Sequence, residues 1–147
     1  MRSQFIDITL ILKLIFNFHQ SGIIPFQRKG KELKILLITT RRNKKWTIPK
    51  GFVDPNLSPL ESAKKESFEE AGITHYKEDF PLGELLIHKK IGSIKLDMFA
   101  GQVDSLVDVY PEYGVRKREW FTLTDAAEII SNKEIAKLLL SLKNLPH

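Results

Sequence analysis

The chain of 147 residues has no cysteine, which excludes a disulfide scaffold, a thiolate metal site and a cysteine nucleophile. It also has no internal repeat and no low-complexity stretch, so a single domain is expected. A chain of this length buries roughly two-thirds of its unfolded surface without a covalent staple. The apolar fraction of 42% and the charged fraction of 28% indicate a globular protein rather than a disordered one.

Long hydrophobic runs are missing as well. The most apolar stretch, residues 8–15, is interrupted by Lys13 and is shorter than the roughly 20 residues that a membrane helix needs. No small-residue cleavage site follows it, which argues against a secretory signal. We therefore interpret residues 1–20 as an apolar N-terminal extension, residues 21–147 as the domain, and the location as cytoplasmic. A membrane anchor at residues 5–18 and a homodimer contact through the same segment stay open.

Positive charge is in excess, because 23 Lys and Arg residues face 18 Asp and Glu residues and give a formal net charge of +5. This excess favours an anionic substrate, and no motif points to RNA or DNA as a partner. The basic residues concentrate in segment 41–45, at Lys50 and in segment 116–118. If these clusters surround one cleft, they attract a polyanion.

The apolar patterns predict strands over residues 21–27, 33–40, 46–48 and 115–121. Two further strands are expected within residues 82–104, joined by a turn at Gly92 and Ser93. Two C-terminal helices are predicted over residues 125–130 and 133–142, capped by Thr124 and Asn132. Strands first, one helix in the middle and helices at the end predict a layered α+β domain.

The middle helix has the strongest local signals and is predicted over residues 58–71. Ser58 is the expected N-cap, followed by Pro59 at the first helical position and by Glu61 three residues after the cap. Gly72 is expected to end the helix.

Three glutamates follow one edge of this helix. Glu66 and Glu70 lie one turn apart with Glu69 beside them, and no cation of the helix lies three or four positions from Glu66 or Glu70. Two such charges repel by up to about 3 kcal/mol at an effective dielectric constant near 20, so a cation should offset them. Clustered carboxylates suit Mg²⁺ or Mn²⁺. Spacing alone leaves both a divalent-metal site and a solvated acidic face open.

Residues 51–73 resemble a Nudix box, whose pattern is G-x5-E-x7-R-E-U-x-E-E-x-G-U with U an aliphatic residue. The matching positions occur without a gap and are Gly51, Glu66, Glu69, Glu70, Gly72 and Ile73. Three positions depart, since Leu57 replaces a glutamate, Lys65 an arginine and Ser67 an apolar residue. In the family the first glutamate and the arginine typically pair and brace the loop against the helix, and here a leucine can brace the loop by packing instead.

The resemblance implies an α/β/α sandwich with a mixed central sheet and a loop–helix–loop catalytic motif. It implies Mg²⁺ or Mn²⁺ and water attack at phosphorus in a pyrophosphate linkage. By position, the catalytic residues are Glu66, Glu69 and Glu70. The implied metal ligands are these three glutamates, the backbone carbonyl of Lys50 and a carboxylate beyond the box, with Glu112 the first candidate and Glu119 the second. The structural glycines are Gly51 and Gly72.

Residues 114–121 and the Pro49-Lys50-Gly51 step resemble diphosphoinositol-polyphosphate and dinucleoside-polyphosphate phosphohydrolases. The partner implied is a phosphorylated, strongly anionic small molecule. The candidate substrate-binding residues are Arg41, Arg42, Lys50, Gly51, Phe52, Arg116 and Arg118. The departures from the box leave one alternative, a Nudix-like module that binds a nucleotide or an inositol phosphate without cleaving it.

Overall fold

The computed structural model describes residue 8 and residues 18–90 and 92–145. Within these residues, seven strands form one mixed sheet. The strands are β1 (Phe18–Lys29), β2 (Glu32–Thr39), β3 (Trp46–Thr47), β4 (Lys50–Phe52), β5 (Ile73–His88), β6 (Ser93–Leu106) and β7 (Arg118–Thr122). The helices are α1 (Pro59–Ala71), α2 (Leu123–Ile129) and α3 (Lys133–Ser141), which continues into a 3₁₀ turn at Leu142–Asn144.

The sheet has the order β3-β2-β1-β6-β5, with β4 also paired to β1 and β7 also paired to β2. Strands β1 and β6 are parallel, with Gly22 opposite Met98, and the other strand pairs are antiparallel. The pairing of β4 with β1 places Lys50 opposite Gly22 and Gly51 opposite Ser21. The start of the box therefore lies at the centre of the sheet.

Helix α1 begins with the predicted capping box. The Glu61 N–H donates to Ser58 Oγ, the Ser58 N–H donates to Glu61 Oε1, and both distances are 3.1 Å. The helix ends at Gly72, whose φ of 73° is left-handed and favours a residue without Cβ. Among the described residues no helix is long and apolar enough to cross a membrane.

Helices cover both faces of the sheet, because alternate residues of β2 enter different cores. Ile35 and Leu37 pack in a core that includes residues of α2 and α3, such as Ala126 and Leu139. Leu36 and Ile38 pack in a second core with Ala71 at the end of α1. Since alternate side chains of a strand point to opposite faces, α1 lies on one face and α2 and α3 lie on the other. The α+β layered fold is confirmed.

Several boundaries differ from the prediction; β7, for example, begins at Arg118 instead of residue 115, and β4 was not predicted. Strand β5 begins at Ile73 instead of residue 82, because its first half carries polar residues at 77–79 and pairs with β6 through several bulges that disguise the alternation. Thr122 caps α2 instead of Thr124, since Thr122 Oγ1 accepts from the Asp125 N–H at 3.1 Å. Strand β1 begins at Phe18 rather than residue 21. The apolar run at residues 8–15 lies, apart from Ile8, outside the described residues.

Candidate active site

Helix α1 places two of its glutamates beside strand β4. Glu70 is 5% exposed, and its Oε1 accepts the Lys50 backbone N–H at 3.2 Å. Glu66 is half-buried over Gly51, where a Cβ would lie only 2.5 Å from Glu66 Cδ. A side chain at position 51 would therefore displace the Glu66 carboxylate from the β4 backbone. Gly72 ends α1 in the left-handed region, as described above.

The loop before β7 closes the other side of these glutamates. The Glu112 N–H donates to the backbone carbonyl of Glu69 at 2.9 Å, which fixes the loop to α1. Arg116 Nε then donates to Glu112 Oε1 at 2.9 Å, and Arg116 Nη2 lies 3.2 Å from Glu70 Oε2. Arg116 is thus a cation that offsets the helix glutamates, and it comes from a distant segment of the same chain.

Glu66, Glu69, Glu70 and Glu112 are called the acidic cluster below. Burial raises the pKa of Glu70 to about 7, an effect that Arg116 opposes and that Glu66 and Glu112 reinforce. Burial also raises the pKa of Glu66, and Glu69 and Glu112 raise it further. The cluster therefore contains carboxylates whose negative charge is only partly compensated.

The side chain of Lys50 lies in the same electrostatic environment. Burial lowers the pKa of its ammonium group, whereas Glu70 raises it, and Lys89 and Arg116 lower it further. Lys50 therefore belongs to the site through its side chain as well as through its backbone.

The acidic cluster has the donor chemistry of a site for a hard cation, since its oxygens are carboxylates that are partly buried and mutually repelling. Within the described part of the chain, however, no three acidic or imidazole side chains converge as a complete ligand set. Arg116 bridges Glu70 and Glu112 in this arrangement. The residues fit a divalent ion by chemistry, and Arg116 provides the positive charge between two of them.

The loop between β4 and α1 is braced by a residue that sequence reasoning missed. The Asp54 N–H donates to Ser62 Oγ at 3.0 Å, and Asp54 Oδ2 lies 3.7 Å from Lys65 Nζ. Leu57 is half-buried and donates its N–H to the Asp54 carbonyl. The signal in the sequence is Asp54-Pro55-Asn56, which is typical of an Asx turn, and Asp54 Oδ1 accepts the Asn56 N–H at 2.8 Å.

Ser67, the third departure from the box, is fully buried. Its hydroxyl donates to the Lys64 carbonyl at 2.7 Å, so the polar atom is satisfied within the helix.

The basic segments 41–45 and 116–118 meet where Lys44 Nζ donates to the Val115 carbonyl at 3.0 Å, but their arginines have different environments. Arg41 and Arg42 are exposed and, within the described residues, make no ion pair or side-chain hydrogen bond. Arg118 Nη1 instead donates to the carbonyls of Ala71 and Val107, both at 2.7 Å, and the guanidinium lies over the ring of Tyr110. Arg118 therefore binds the C-terminal end of α1, away from the carboxylates of the acidic cluster.

Phe52 and Glu119 are the remaining predicted site residues. Phe52 is 58% exposed and contacts the edge of Phe18 with the ring centroids 5.5 Å apart. Glu119 is exposed on β7, opposite Leu37, and makes no bond to the acidic cluster in the described residues. Of the two carboxylates considered beyond the box, only Glu112 is brought to Glu70, through Arg116.

Two cavities adjoin this site. The larger, of about 880 Å³, is lined by Lys44, Trp46, Tyr110, Tyr113 and Arg116 among others. The smaller, of about 450 Å³, lies over the braced loop and includes Phe52, Asp54, Lys65 and Glu66. The larger volume is in the range of small-molecule pockets, and its wall combines aromatic and basic side chains.

Comparisons with known proteins identify the family and the fold. The family model described as NUDIX domain matches residues 19–142. The chain is 31% identical over 137 residues to Nudix hydrolase 4 of Arabidopsis thaliana, covering 84% of this chain and 66% of that protein. It is 27% identical over 125 residues to the asymmetrical bis(5'-nucleosyl)-tetraphosphatase of Caenorhabditis elegans, covering 81% of this chain and 89% of that protein.

Among solved structures, a binary complex of the C. elegans Ap4A hydrolase superposes with a TM-score of 0.65 and 24% identity. The match covers 85% of this chain and 94% of the other, and at this identity it shows the shared fold. The chain spans just under two-thirds of the length of the Arabidopsis relative.

Proposed function

The chain belongs to the Nudix family, and on that premise we propose that it hydrolyses a pyrophosphate bond with the help of Mg²⁺ or Mn²⁺. The observation that supports the proposal is the link that Arg116 makes between Glu70 of helix α1 and Glu112 of the loop before β7. Glu66 lies close enough to interact electrostatically with both carboxylates, and the backbone N–H of Lys50 contacts Glu70 directly. This arrangement joins the box to a carboxylate outside it.

The residues that would hold the divalent ion are Glu66, Glu69, Glu70, Glu112 and the backbone carbonyl of Lys50. When bound, such an ion neutralises the charge of a phosphoric anhydride and makes the attacking water more acidic. The chain contributes buried carboxylates whose pKa values are raised by burial and by one another, so a cation is favoured at this position.

The proton of the attacking water goes to a carboxylate of the same cluster. Glu66 and Glu69 are the candidates, because neither carboxylate makes a hydrogen bond or ion pair within the described residues. Burial raises the pKa of Glu66, which strengthens this carboxylate as a base. Positioned general-base catalysis contributes a factor of about 10²–10⁴ to the rate.

The substrate proposed is an anionic molecule with groups on both sides of the cleaved linkage, as in a dinucleoside polyphosphate or a diphosphoinositol polyphosphate. The two cavities support this choice, because Arg116 lies in the wall of one and Glu66 lies in the wall of the other. The C. elegans relative is a bis(5'-nucleosyl)-tetraphosphatase, which favours the dinucleoside class.

The exposed side chains of Arg41, Arg42 and Phe52 are proposed to contact the distal parts of the substrate. Lys50 and Arg116 are proposed to act near the phosphates, and Arg118 supports them by fixing the end of α1. The cytoplasmic location, the homodimer and the role of the N-terminal extension stay predictions.

The test is a panel of diadenosine polyphosphates, diphosphoinositol polyphosphates, nucleotide sugars and nucleoside triphosphates, with products separated by ion-exchange chromatography. Each substrate is incubated with Mg²⁺, with Mn²⁺ and with EDTA. We expect metal-dependent cleavage that is fastest for a substrate with three or more linked phosphates. If no compound is cleaved but one raises the melting temperature, the non-catalytic binding module is the better assignment.

A further inference from the structure

We propose that Arg116 is the built-in counter-ion of the acidic cluster: it holds Glu70 and Glu112 together when no divalent ion is bound and releases at least one of them when such an ion binds. This inference rests on the proposed function, because that function assigns the ion to the cluster. It makes Arg116 a positioning residue that sets the affinity for the metal.

The first support is the geometry of the guanidinium group. Arg116 Nε bonds Glu112, Nη2 bonds Glu70 and Nη1 donates to the Thr39 carbonyl at 3.1 Å. The side chain is only 12% exposed. One planar group therefore ties the loop before β7, helix α1 and the end of β2 to one another, an arrangement that lysine cannot reproduce.

The second support is how the oxygens of Glu70 are used. Oε1 accepts the Lys50 N–H at 3.2 Å, and Oε2 lies 3.2 Å from Arg116 Nη2. Both oxygens therefore already have a donor from the protein. A metal ion that takes Glu70 Oε2 as a ligand is therefore brought close to the guanidinium group of Arg116.

The third support is charge. Removing Arg116 would leave Glu70 and Glu112 without the positive charge that both contact in a partly buried site. A divalent ion carries twice the charge of the guanidinium group and repels it at short range. The two cations therefore compete for the same carboxylates, and loss of Arg116 benefits the metal.

The experiment measures Mn²⁺ binding to the full chain by electron paramagnetic resonance titration, together with the melting temperature after removal of metal by EDTA and dialysis. The proteins are wild type, Arg116→Gln, Arg116→Lys and, as a control, Arg118→Gln. The control removes a guanidinium group two residues away that binds carbonyls at the end of α1 and no carboxylate of the cluster.

For Arg116→Gln we expect a lower melting temperature without metal and a dissociation constant for Mn²⁺ that is lower by on the order of tenfold. Arg116→Lys keeps the positive charge but lacks the planar guanidinium group that contacts both carboxylates. Its dissociation constant for Mn²⁺ should therefore fall by a smaller factor. Arg118→Gln should lower the melting temperature while its dissociation constant stays within about twofold of wild type.

Unchanged or weaker Mn²⁺ binding in Arg116→Gln overturns the inference, since a merely structural arginine would give that result. If Arg116→Gln does not fold, Arg116→Lys is the test, and unchanged or weaker Mn²⁺ binding in that variant overturns the inference. A wild-type protein that binds no Mn²⁺ contradicts the proposed function itself, so the two failures are distinguishable.

Discussion

Two basic segments look equivalent in the sequence and differ completely in the structure. Arg41 and Arg42 lie exposed in the loop after β2, without side-chain partners in the described residues. Arg116 and Arg118 are 12% and 18% exposed and are fully engaged with carboxylates or carbonyls. The loop arginines can meet a ligand, whereas the second pair chiefly neutralises and fixes helix α1.

The difference shows that a cluster of cations does not by itself define a phosphate-binding surface. An exposed arginine acts through a long-range field that salt screens, and its loss has little effect on stability. A buried arginine satisfies groups that would otherwise be unpaired, and its loss is costly. Variants on either side of this comparison should therefore change different observables.

The largest effect on turnover is expected from replacing Glu70, the carboxylate that Arg116 contacts. Glu70→Gln keeps the size of the side chain but removes a charge from the cluster, so turnover should fall by at least about 10²-fold while the fold is retained. Initial rates and circular dichroism spectra measure the two outcomes. Glu119→Gln, a change on the exposed face of β7, is the matched control. Near-normal turnover in Glu70→Gln would remove Glu70 from the catalytic assignment.

Wild type and Glu70→Gln are also expected to differ in how their stability depends on pH. The pKa of Glu70 is raised from 4.5 to about 7 in the folded state, so the folded protein binds the proton more tightly than the unfolded chain does. The stability of wild type should fall as the pH rises between these values, by at most about 3 kcal/mol. Glutamine does not titrate and escapes this loss.

Melting temperatures in EDTA at pH 5 and pH 8 check this prediction. The melting temperature of Glu70→Gln minus that of wild type should be larger at pH 8 than at pH 5. A difference between the two proteins that does not change with pH would contradict the electrostatic account of Glu70.

A smaller effect is expected from Arg118. Arg118→Met leaves the carbonyls of Ala71 and Val107 without their donor at the end of α1, so the free energy of unfolding should fall by about 1–3 kcal/mol. Urea unfolding measures it. Lys117→Gln, an exposed change at the neighbouring position, should stay within about 0.5 kcal/mol of wild type. Equal free energies of unfolding for Arg118→Met and Lys117→Gln would show that Arg118 does not stabilise the end of α1.

The smallest effect on the fold is expected from the exposed arginines. In the double variant Arg41→Gln and Arg42→Gln, the melting temperature should not change, while KM for an anionic substrate should rise a few-fold at low salt. The rise should shrink as salt is added. Lys31→Gln with Lys133→Gln removes the same charge elsewhere and controls for net charge. A KM that matches this control at all salt concentrations would remove Arg41 and Arg42 from the substrate site.

Local features of the fold were predictable, because their causes lie within a few residues. The capping box at Ser58 and Glu61 and the end of α1 at Gly72 are where the sequence predicts them. Strand β5 was only half predicted, since pairing with β6 stabilises a polar segment whose own pattern does not favour a strand.

The sequence predicts a cation beside the glutamates of α1 but not which one. Glu66 and Glu70 have no cationic partner at helical spacing, and the structure places Arg116 next to Glu70. That this cation includes Arg116 depends on the pairing of β7 with β2, a long-range contact that no local pattern encodes. Asp54 was missed for a related reason, because only the folded loop brings it to Ser62 and Lys65.

The way Arg116 reaches Glu70 has a consequence for synthesis on the ribosome. Helix α1 emerges long before the segment that carries its counter-charge, and β1 must wait for β6 to complete their parallel pairing. Contacts between such distant segments form late in folding. The glutamates of α1 therefore gain Arg116 as a counter-charge only after the final third of the chain is made.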